Sequence, residues 1–291
     1  MAQELIFASS LADSSGAIRL WLNYHEYAKR LLAGDGANPW ANAGTFLSFF
    51  SQAQGLLRPE AAILDVKDLY QSWLNSNTSA KADLAGKRRP MAALKFLFEA
   101  EAPKALLREI VTAVSFQLKG GVPLVLAVPS PRHWFWWAVT QSSGNDIEVS
   151  DDDAENAAVY LADFIRAFSD LPISGIMLVE RADCPLSGES PFAGYTPVFN
   201  VTKHYRWPVV LRLPAQGGPY AVDANDVALA IGAHPLRDGI MPWAVDVSAA
   251  LWSGQNLPEL GARQILNVDI PADEVPEKVL DYLKKVRALL V

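Results

Sequence analysis

The chain has 291 residues, of which 51% are hydrophobic and 20% are charged, and its formal net charge is −7. This much apolar sequence can fill a large core, which excludes a disordered polypeptide. The negative charge argues against nucleic acid as a partner, because the phosphates would be repelled. The only cysteine, Cys184, excludes a disulfide within the chain.

The same features bear on location. The amino-terminal sequence lacks a basic stretch followed by a long apolar one, so no signal peptide is expected. No window approaches the roughly 18 uninterrupted apolar residues of a membrane span. Because a lone cysteine also fits a reducing compartment, we expect a cytoplasmic protein that does not associate with membranes.

Residues 1–119 are predicted to be mostly helical, because their apolar side chains recur at helical spacing. The predicted helices cover residues 18–32, 43–54 and 91–118, and one short strand covers residues 61–66. Pro103 marks a break or a fresh start within the last of these helical stretches.

Residues 120–291 have a different pattern, in which short apolar runs alternate with helices or loops. The runs cover residues 124–128, 176–179, 209–213, 227–231, 240–247 and 265–270. Unbroken apolar runs of this length are typical of strands buried on both faces of a parallel sheet. Ser150 with Asp153 forms a capping box at the start of one intervening helix, and Pro276 opens the last helix.

Repeated strand–helix–strand units predict a parallel sheet, which is either a closed barrel or an open doubly wound sheet. An open sheet that binds a nucleotide usually has a glycine-rich turn after its first strand, and none follows residues 124–128. We therefore predict a single α/β domain, residues 1–291, folded as an irregular (β/α)8 TIM-type barrel with an N-terminal helical segment. The irregularity lies at 213–227 and 231–240, which are too short for full helices.

Residues 122–291 resemble the superfamily of uroporphyrinogen decarboxylases and cobalamin-independent methionine synthases. The resemblance rests on four stretches: residues 121–131 (GVPLVLAVPSP), 173–180 (ISGIMLVE), 207–212 (WPVVLR) and 264–268 (QILNV) followed by 275–279 (VPEKV). It implies a barrel and either lyase (decarboxylase) or methyltransferase activity.

The sequence also departs from that superfamily. No arginine-rich motif of the decarboxylases is recognisable in residues 1–65. The methyltransferases hold zinc through histidine and cysteine, whereas Cys184 has no partner at ligand spacing and no His-x-Cys follows the strand of Arg212. The resemblance therefore supports the fold better than it supports either chemistry, and no cofactor or metal is expected.

Active sites of parallel barrels lie at the carboxyl ends of the strands, so polar residues at strand ends are the site candidates. The predicted catalytic residues are Glu180, His133 and Asp246. The predicted substrate-binding residues are Arg132, Arg212 and His234.

Glu180 and Arg212 interrupt or end apolar strands, and each has two interpretations. Glu180 is either an acid or base whose pKa is raised by burial, or one half of a structural ion pair. Arg212 binds either a substrate carboxylate or a protein acid such as Glu180. His133 is a proton donor or a surface histidine beside Trp134 and Trp136, and these tryptophans are either core residues or a pocket wall.

Two function hypotheses follow. The first is a cofactor-independent lyase, decarboxylase or C1-transferase that acts on a small carboxylated substrate. The alternative is a non-catalytic relative, a barrel that binds a ligand or a protein. The two differ in whether several polar groups converge on one concave pocket.

The ligand count predicts the metal content. A catalytic zinc takes about three protein ligands, and the sequence offers Cys184 alone with no histidine pair at ligand spacing. We therefore expect elemental analysis of the purified protein to find no stoichiometric zinc. One tightly held zinc per chain would show that the ligand argument is wrong.

Overall fold

The computed structural model describes residues 18–34, 38–184, 186, 188, 190–234, 236, 242–257 and 264–290. Its eight strands are β1 (Leu20–Asn23), β2 (Ala62–Asp65), β3 (Leu124–Pro129), β4 (Gly175–Val179), β5 (Val209–Arg212), β6 (Leu229–Gly232), β7 (Trp243–Asp246) and β8 (Ile265–Asp269). All seven strand pairings are parallel, in the order β1-β8-β7-β6-β5-β4-β3-β2. The fold is an α/β TIM-type barrel that is nearly closed, as the sequence predicted.

The helices surround this sheet. They are α1 (His25–Ala28, which continues as a π-helical turn, Lys29–Ala33), α2 (Ala43–Leu57), α3 (Val66–Ser76), α4 (Thr78–Ala85), α5 (Pro90–Glu99), α6 (Glu101–Leu118), α7 (Pro131–Ser143), α8 (Asp151–Arg166), α9 (Thr196–His204), α10 (Ser248–Ser253) and α11 (Pro276–Leu289). No helix joins β5 to β6, and residues 213–228 cross between them as a loop. This confirms the predicted irregularity at that connection, whereas much of the β6–β7 connection lies outside the described residues.

Strand alternation separates two cores. The barrel interior is filled by side chains such as Trp21, Val125, Met177, Val210 and Ile231. Their neighbours along each strand pack outward against the helices. Since successive strand residues face opposite sides, Arg212 lies on the interior side, two residues beyond Val210.

Residues 18–32 are not one helix, so that prediction was wrong in its first part. Residues 20–23 form β1, and the helix begins only at His25. Leu20, Trp21 and Leu22 are all 1% exposed, because Trp21 faces the barrel interior and its neighbours face the helices. A run that is apolar on both faces fits a helix and a buried parallel strand equally well.

Two other boundaries in the amino-terminal part refine the predictions. The helix predicted over 43–54 runs through Gly55 to Leu57, and Arg58 ends it in the left-handed region with φ 46°. The stretch 91–118 divides at Ala100, and Pro103 lies in the first turn of α6, where a missing amide hydrogen is harmless.

The seam between β1 and β2 is closed by side chains. Among the described residues no ladder joins these two strands, which form the two ends of the sheet order. At their amino-terminal ends, Glu60 Oε2 accepts hydrogen bonds from the backbone amides of Arg19 (2.6 Å) and Leu20 (2.9 Å). The Glu60 carboxylate thus pairs edge amides that have no strand partner.

This seam predicts a stability difference. Replacing Glu60 by alanine leaves two backbone amides without a hydrogen-bond acceptor. We therefore expect Glu60→Ala to lower the free energy of unfolding by about 1–3 kcal/mol. Denaturant unfolding measures this change. The control is Glu99→Ala, which removes an exposed carboxylate paired with Lys95 and should cost less than about 0.5 kcal/mol. Equal losses in the two variants would show that Glu60 does not close the seam.

Candidate active site at the barrel mouth

A cavity of about 300 Å³ opens at the carboxyl ends of β4, β5, β6 and β7. We call it the outer cavity. Its charged and polar lining residues are Lys67, His133, Glu180, Arg181, Asp183, Arg212 and Asp246, and Trp136 forms part of its wall. Of the six predicted site residues, the fold therefore brings His133, Glu180, Arg212 and Asp246 to one cavity.

Arg212 is oriented by an acid on the neighbouring side of the barrel. Its Nη2 donates to Asp269 Oδ2. Asp269 is fixed in turn, because its backbone amide donates to Ser248 Oγ (2.8 Å) and its Oδ1 accepts from Asn267 Nδ2 (3.3 Å). The partner of Arg212 is thus Asp269 rather than Glu180. Within the described residues its Nε and Nη1 make no hydrogen bond, so both remain as donors for a ligand.

His133 is held in one tautomer. It lies in the first turn of α7, where its backbone amide donates to Ser130 Oγ (3.2 Å). Its ring Nδ1 is 2.9 Å from the carbonyl oxygen of Val179, which accepts and therefore requires a proton on Nδ1. Burial, with the nearby charges of Lys67 and Arg181, lowers the pKa of His133 to about 4. At neutral pH the ring is uncharged and Nε2 carries a lone pair.

Glu180 is a buried carboxyl with both oxygens engaged. It is 4% exposed. Oε1 accepts from the Tyr195 hydroxyl (2.6 Å), and Oε2 accepts from Ser130 Oγ (2.8 Å). Burial raises the pKa of Glu180 to about 7, although both hydrogen bonds favour the charged form. The group can therefore be protonated or ionised near neutral pH.

Arg181 forms a wall of the outer cavity by stacking. Its guanidinium carbon lies 3.9 Å from the centre of the Trp136 ring, and its Nη2 is 3.0 Å from Asp183 Oδ2. Asp146 lies 3.7 Å from the same guanidinium. Trp136 is thus a pocket wall, whereas its neighbour Trp134 is fully buried core.

Asp246 and Arg132 have protein partners. Asp246 lines the outer cavity, and its Oδ1 accepts from the backbone amide of Ser248 (3.0 Å). Arg132 lies outside this cavity, where it donates to the Val149 carbonyl (3.1 Å) and pairs with Asp151. Arg132 lines a separate cavity of about 100 Å³, which shares His133, Glu180 and Arg181 with the outer one.

His234 is not brought into the cavity. It is exposed, and its Cβ lies near Gly218 in the β5–β6 connection, while the neighbouring Ala233 lines the outer cavity. Of the two residues that follow β6, Ala233 lines the cavity and His234 does not.

A smaller cavity of about 50 Å³ lies inside the barrel mouth, and we call it the inner cavity. Three further polar residues, Asn23, His25 and Asp65, line it together with Arg212. These three were missed from sequence because the stretch 18–32 was predicted as a helix and Asp65 was not considered as a strand end. The available signal was their position: Asn23 and Asp65 end β1 and β2, where site residues of parallel barrels lie.

At this end of the seam, a side-chain clasp joins the helices that follow β1 and β2. Asp68 in α3 accepts from His25 Nε2 (2.7 Å), Lys29 Nζ (2.8 Å) and Trp40 Nε1 (2.5 Å). Burial opposes both charges, yet contact with Asp68 raises the pKa of His25, and contact with His25 and Lys29 keeps the pKa of Asp68 well below its usual range.

Two clasp residues, His25 and Asp68, form with Glu26 the one group of three possible metal ligands within the described residues. Both Asp68 oxygens are already occupied, one of them by the ammonium group of Lys29. A cation here would have to displace that positive charge, so the cluster fits an ion pair better than a metal site. Cys184 is exposed and lies outside the group.

Comparisons with protein-family models and with curated proteins find no match to this chain. Within the described residues, no helix is both long enough and apolar enough to cross a membrane.

The clasp predicts a pH dependence of stability. The lowered pKa of Asp68 contributes stability above about pH 4, which is lost as pH falls through its folded value. The raised pKa of His25 contributes stability below about pH 6.5, which is lost as pH rises through its folded value. We expect Asp68→Asn to reduce the free energy of unfolding most between about pH 4 and 6.5, as measured by denaturant unfolding across pH. The control Asp170→Asn removes an exposed pair with Arg108 and should show no such maximum; a flat difference for Asp68→Asn would contradict the clasp.

Proposed function

We propose that this chain is a barrel enzyme of the lyase class, which binds a small carboxylate in the outer cavity and moves a proton at a carbon within two bonds of the carboxylate carbon. The observation that carries the proposal is the convergence of Arg212 and His133 on one cavity. Arg212 has a fixed guanidinium with free donors, and His133 has a fixed tautomer with a free lone pair.

Arg212 supplies the anion-binding group. A guanidinium donates strong, charge-assisted hydrogen bonds to a carboxylate, and Nε and Nη1 of Arg212 remain as donors for such a bond. Asp269 holds the guanidinium in place through Nη2, so little freedom is lost when a ligand binds. Positive Lys67 lines the same cavity and favours an anion further, whereas the charge of Arg181 is offset by Asp183.

His133 and Glu180 supply the proton transfer. The neutral imidazole of His133 accepts a proton at Nε2, and the Val179 carbonyl stabilises the Nδ1–H while it does so. Glu180 lines the same cavity with a pKa near neutrality. The pKa of His133 is lowered, so its neutral ring suits the role of base. The pKa of Glu180 is raised, so its carboxyl suits the role of acid.

Of the two chemistries that the superfamily resemblance implies, the lyase type has more support. A zinc-dependent methyl transfer needs histidine and thiolate ligands that converge. Among the described residues Cys184 belongs to no such group, so the residues do not fit that metal. Proton transfer needs only the groups already placed at the outer cavity.

Ligand binding without catalysis is the second candidate. It is favoured by the full engagement of Glu180, whose two oxygens both accept hydrogen bonds. A barrel of this kind would bind the carboxylate ligand through Arg212 without removing a proton from the ligand.

Two probes test the proposal, propionate for binding and pyruvate for proton transfer. We expect propionate to bind, as followed by NMR titration, and Arg212→Met to weaken that binding at least tenfold with little change in thermal stability. Pyruvate methyl protons should exchange with D2O faster in the presence of the protein, and His133→Gln should slow this exchange by about 100-fold or more, since general bases contribute about 10²–10⁴.

The matched control is Arg108→Met, which removes a surface arginine paired with Asp170 and should change neither measurement. A stability loss of about 3–5 kcal/mol in Arg212→Met would assign Arg212 to a structural pair instead. Propionate binding without accelerated pyruvate exchange would favour the non-catalytic candidate.

A further inference from the structure

The inner cavity adjoins the proposed carboxylate site and lies deeper in the barrel. Its polar lining comes from Asn23, His25, Asp65 and Arg212, and its floor is apolar, with Ile63, Ala127 and Met177. Val179 and Arg212 line both the inner and the outer cavity. Arg212 therefore borders both cavities, and a ligand bound to it adjoins the inner one.

The free polar atoms around this cavity include an acceptor and a donor. Asp65 caps α3 through Oδ1, which accepts from the amide of Asp68 (3.0 Å), so its Oδ2 remains as an acceptor. His25 uses Nε2 in the Asp68 clasp, so its Nδ1 remains. Asn23 is paired in the strand register with Asp269, the partner of Arg212. Among the described residues, none of these remaining side-chain groups has a hydrogen-bond partner.

We infer that the inner cavity is a subsite for the hydroxyl group of a 2-hydroxy carboxylate, with the carboxylate on Arg212 and the hydroxyl between Asp65 and His25. The inference rests on the proposed function, because it needs the carboxylate at Arg212. It specifies the substrate class, which the proposed function leaves open.

A hydroxyl group matches these partners better than the alternatives. It donates to Asp65 Oδ2 and at the same time accepts from Nδ1–H of His25 in the charged form of the ring, which contact with Asp68 favours. An ammonium group cannot accept a hydrogen bond, and it would lie near the positive charge of Arg212. A methyl group would leave the carboxylate of Asp65 facing an apolar group, which is unfavourable.

The size of the cavity points the same way. A volume of about 50 Å³ holds one or two non-hydrogen atoms, since a water molecule takes about 30 Å³ of the liquid. The larger remainder of the substrate would lie in the outer cavity of about 300 Å³.

NMR titrations with lactate, alanine and propionate test the inference, because the three probes share a carboxylate and differ in the group on the second carbon. We expect lactate to bind about tenfold more tightly than propionate, the effect of one charge-assisted hydrogen bond, and alanine to bind no more tightly than propionate. Asp65→Asn should abolish the preference for lactate and leave propionate affinity within about twofold. Asparagine caps helices as well as aspartate does, so α3 is retained, and thermal unfolding verifies this.

Asp223→Asn is the matched control, since Asp223 is exposed and lines a different cavity beside α9; it should leave all three affinities unchanged. Lactate that binds no more tightly than propionate, or a preference that survives Asp65→Asn, overturns the subsite. Alanine that binds more tightly than lactate overturns the choice of a hydroxyl group. If propionate itself fails to bind, or binds equally well to Arg212→Met, the proposed function fails, and that outcome is distinct from failure of the subsite alone.

Discussion

The barrel depends on the closure of one seam, between β1 and β2, which end the sheet order. Edge strands expose amides and carbonyls that need partners. At the amino-terminal end Glu60 accepts from two β1 amides, and at the carboxyl end Asp68 joins the helices that follow the two strands through His25 and Lys29. Two carboxylates thus replace a main-chain ladder. Glu60 acts through hydrogen bonds from uncharged amides, whereas Asp68 acts through ion pairs.

Seam closure also shapes the candidate site. Asn23 and Asp65 end the two seam strands, and His25 and Asp68 follow them, so the clasp sets the spacing between Asn23 and Asp65 across the inner cavity. On the other side of the mouth, the Arg212–Asp269 pair connects β5 with β8, and β8 is the ladder partner of β1. The carboxylate ligand that we propose for Arg212 would therefore contact groups whose positions are fixed before it binds, an arrangement that favours electrostatic catalysis.

The two histidines at the mouth illustrate how surroundings decide chemistry. His133 meets a backbone carbonyl and nearby positive charges, and its pKa falls. His25 is also buried but contacts a carboxylate, and its pKa rises. The surroundings of His133 thus favour the neutral imidazole, whereas those of His25 favour the charged form. Glu180 differs again, because its partners are neutral hydroxyl groups that do not offset its burial.

The sequence by itself determined the fold class, since short apolar runs that alternate with helices from residue 124 onward are typical of strands in a buried parallel sheet. It also determined which strand ends carry His133, Glu180, Arg212 and Asp246, because strand direction fixes where those ends meet. Only the tertiary structure decided that residues 20–23 are a strand, since an all-apolar run satisfies either periodicity. The tertiary structure likewise decided that Arg212 pairs with Asp269 rather than with Glu180. It also decided that Asn23, His25 and Asp65 share a cavity with Arg212. Both arrangements follow from the curvature of the nearly closed sheet. That curvature brings together residues that are distant in the chain, 57 positions for Arg212 and Asp269 and more than 100 for Arg212 and Asp65, and no local pattern encodes it.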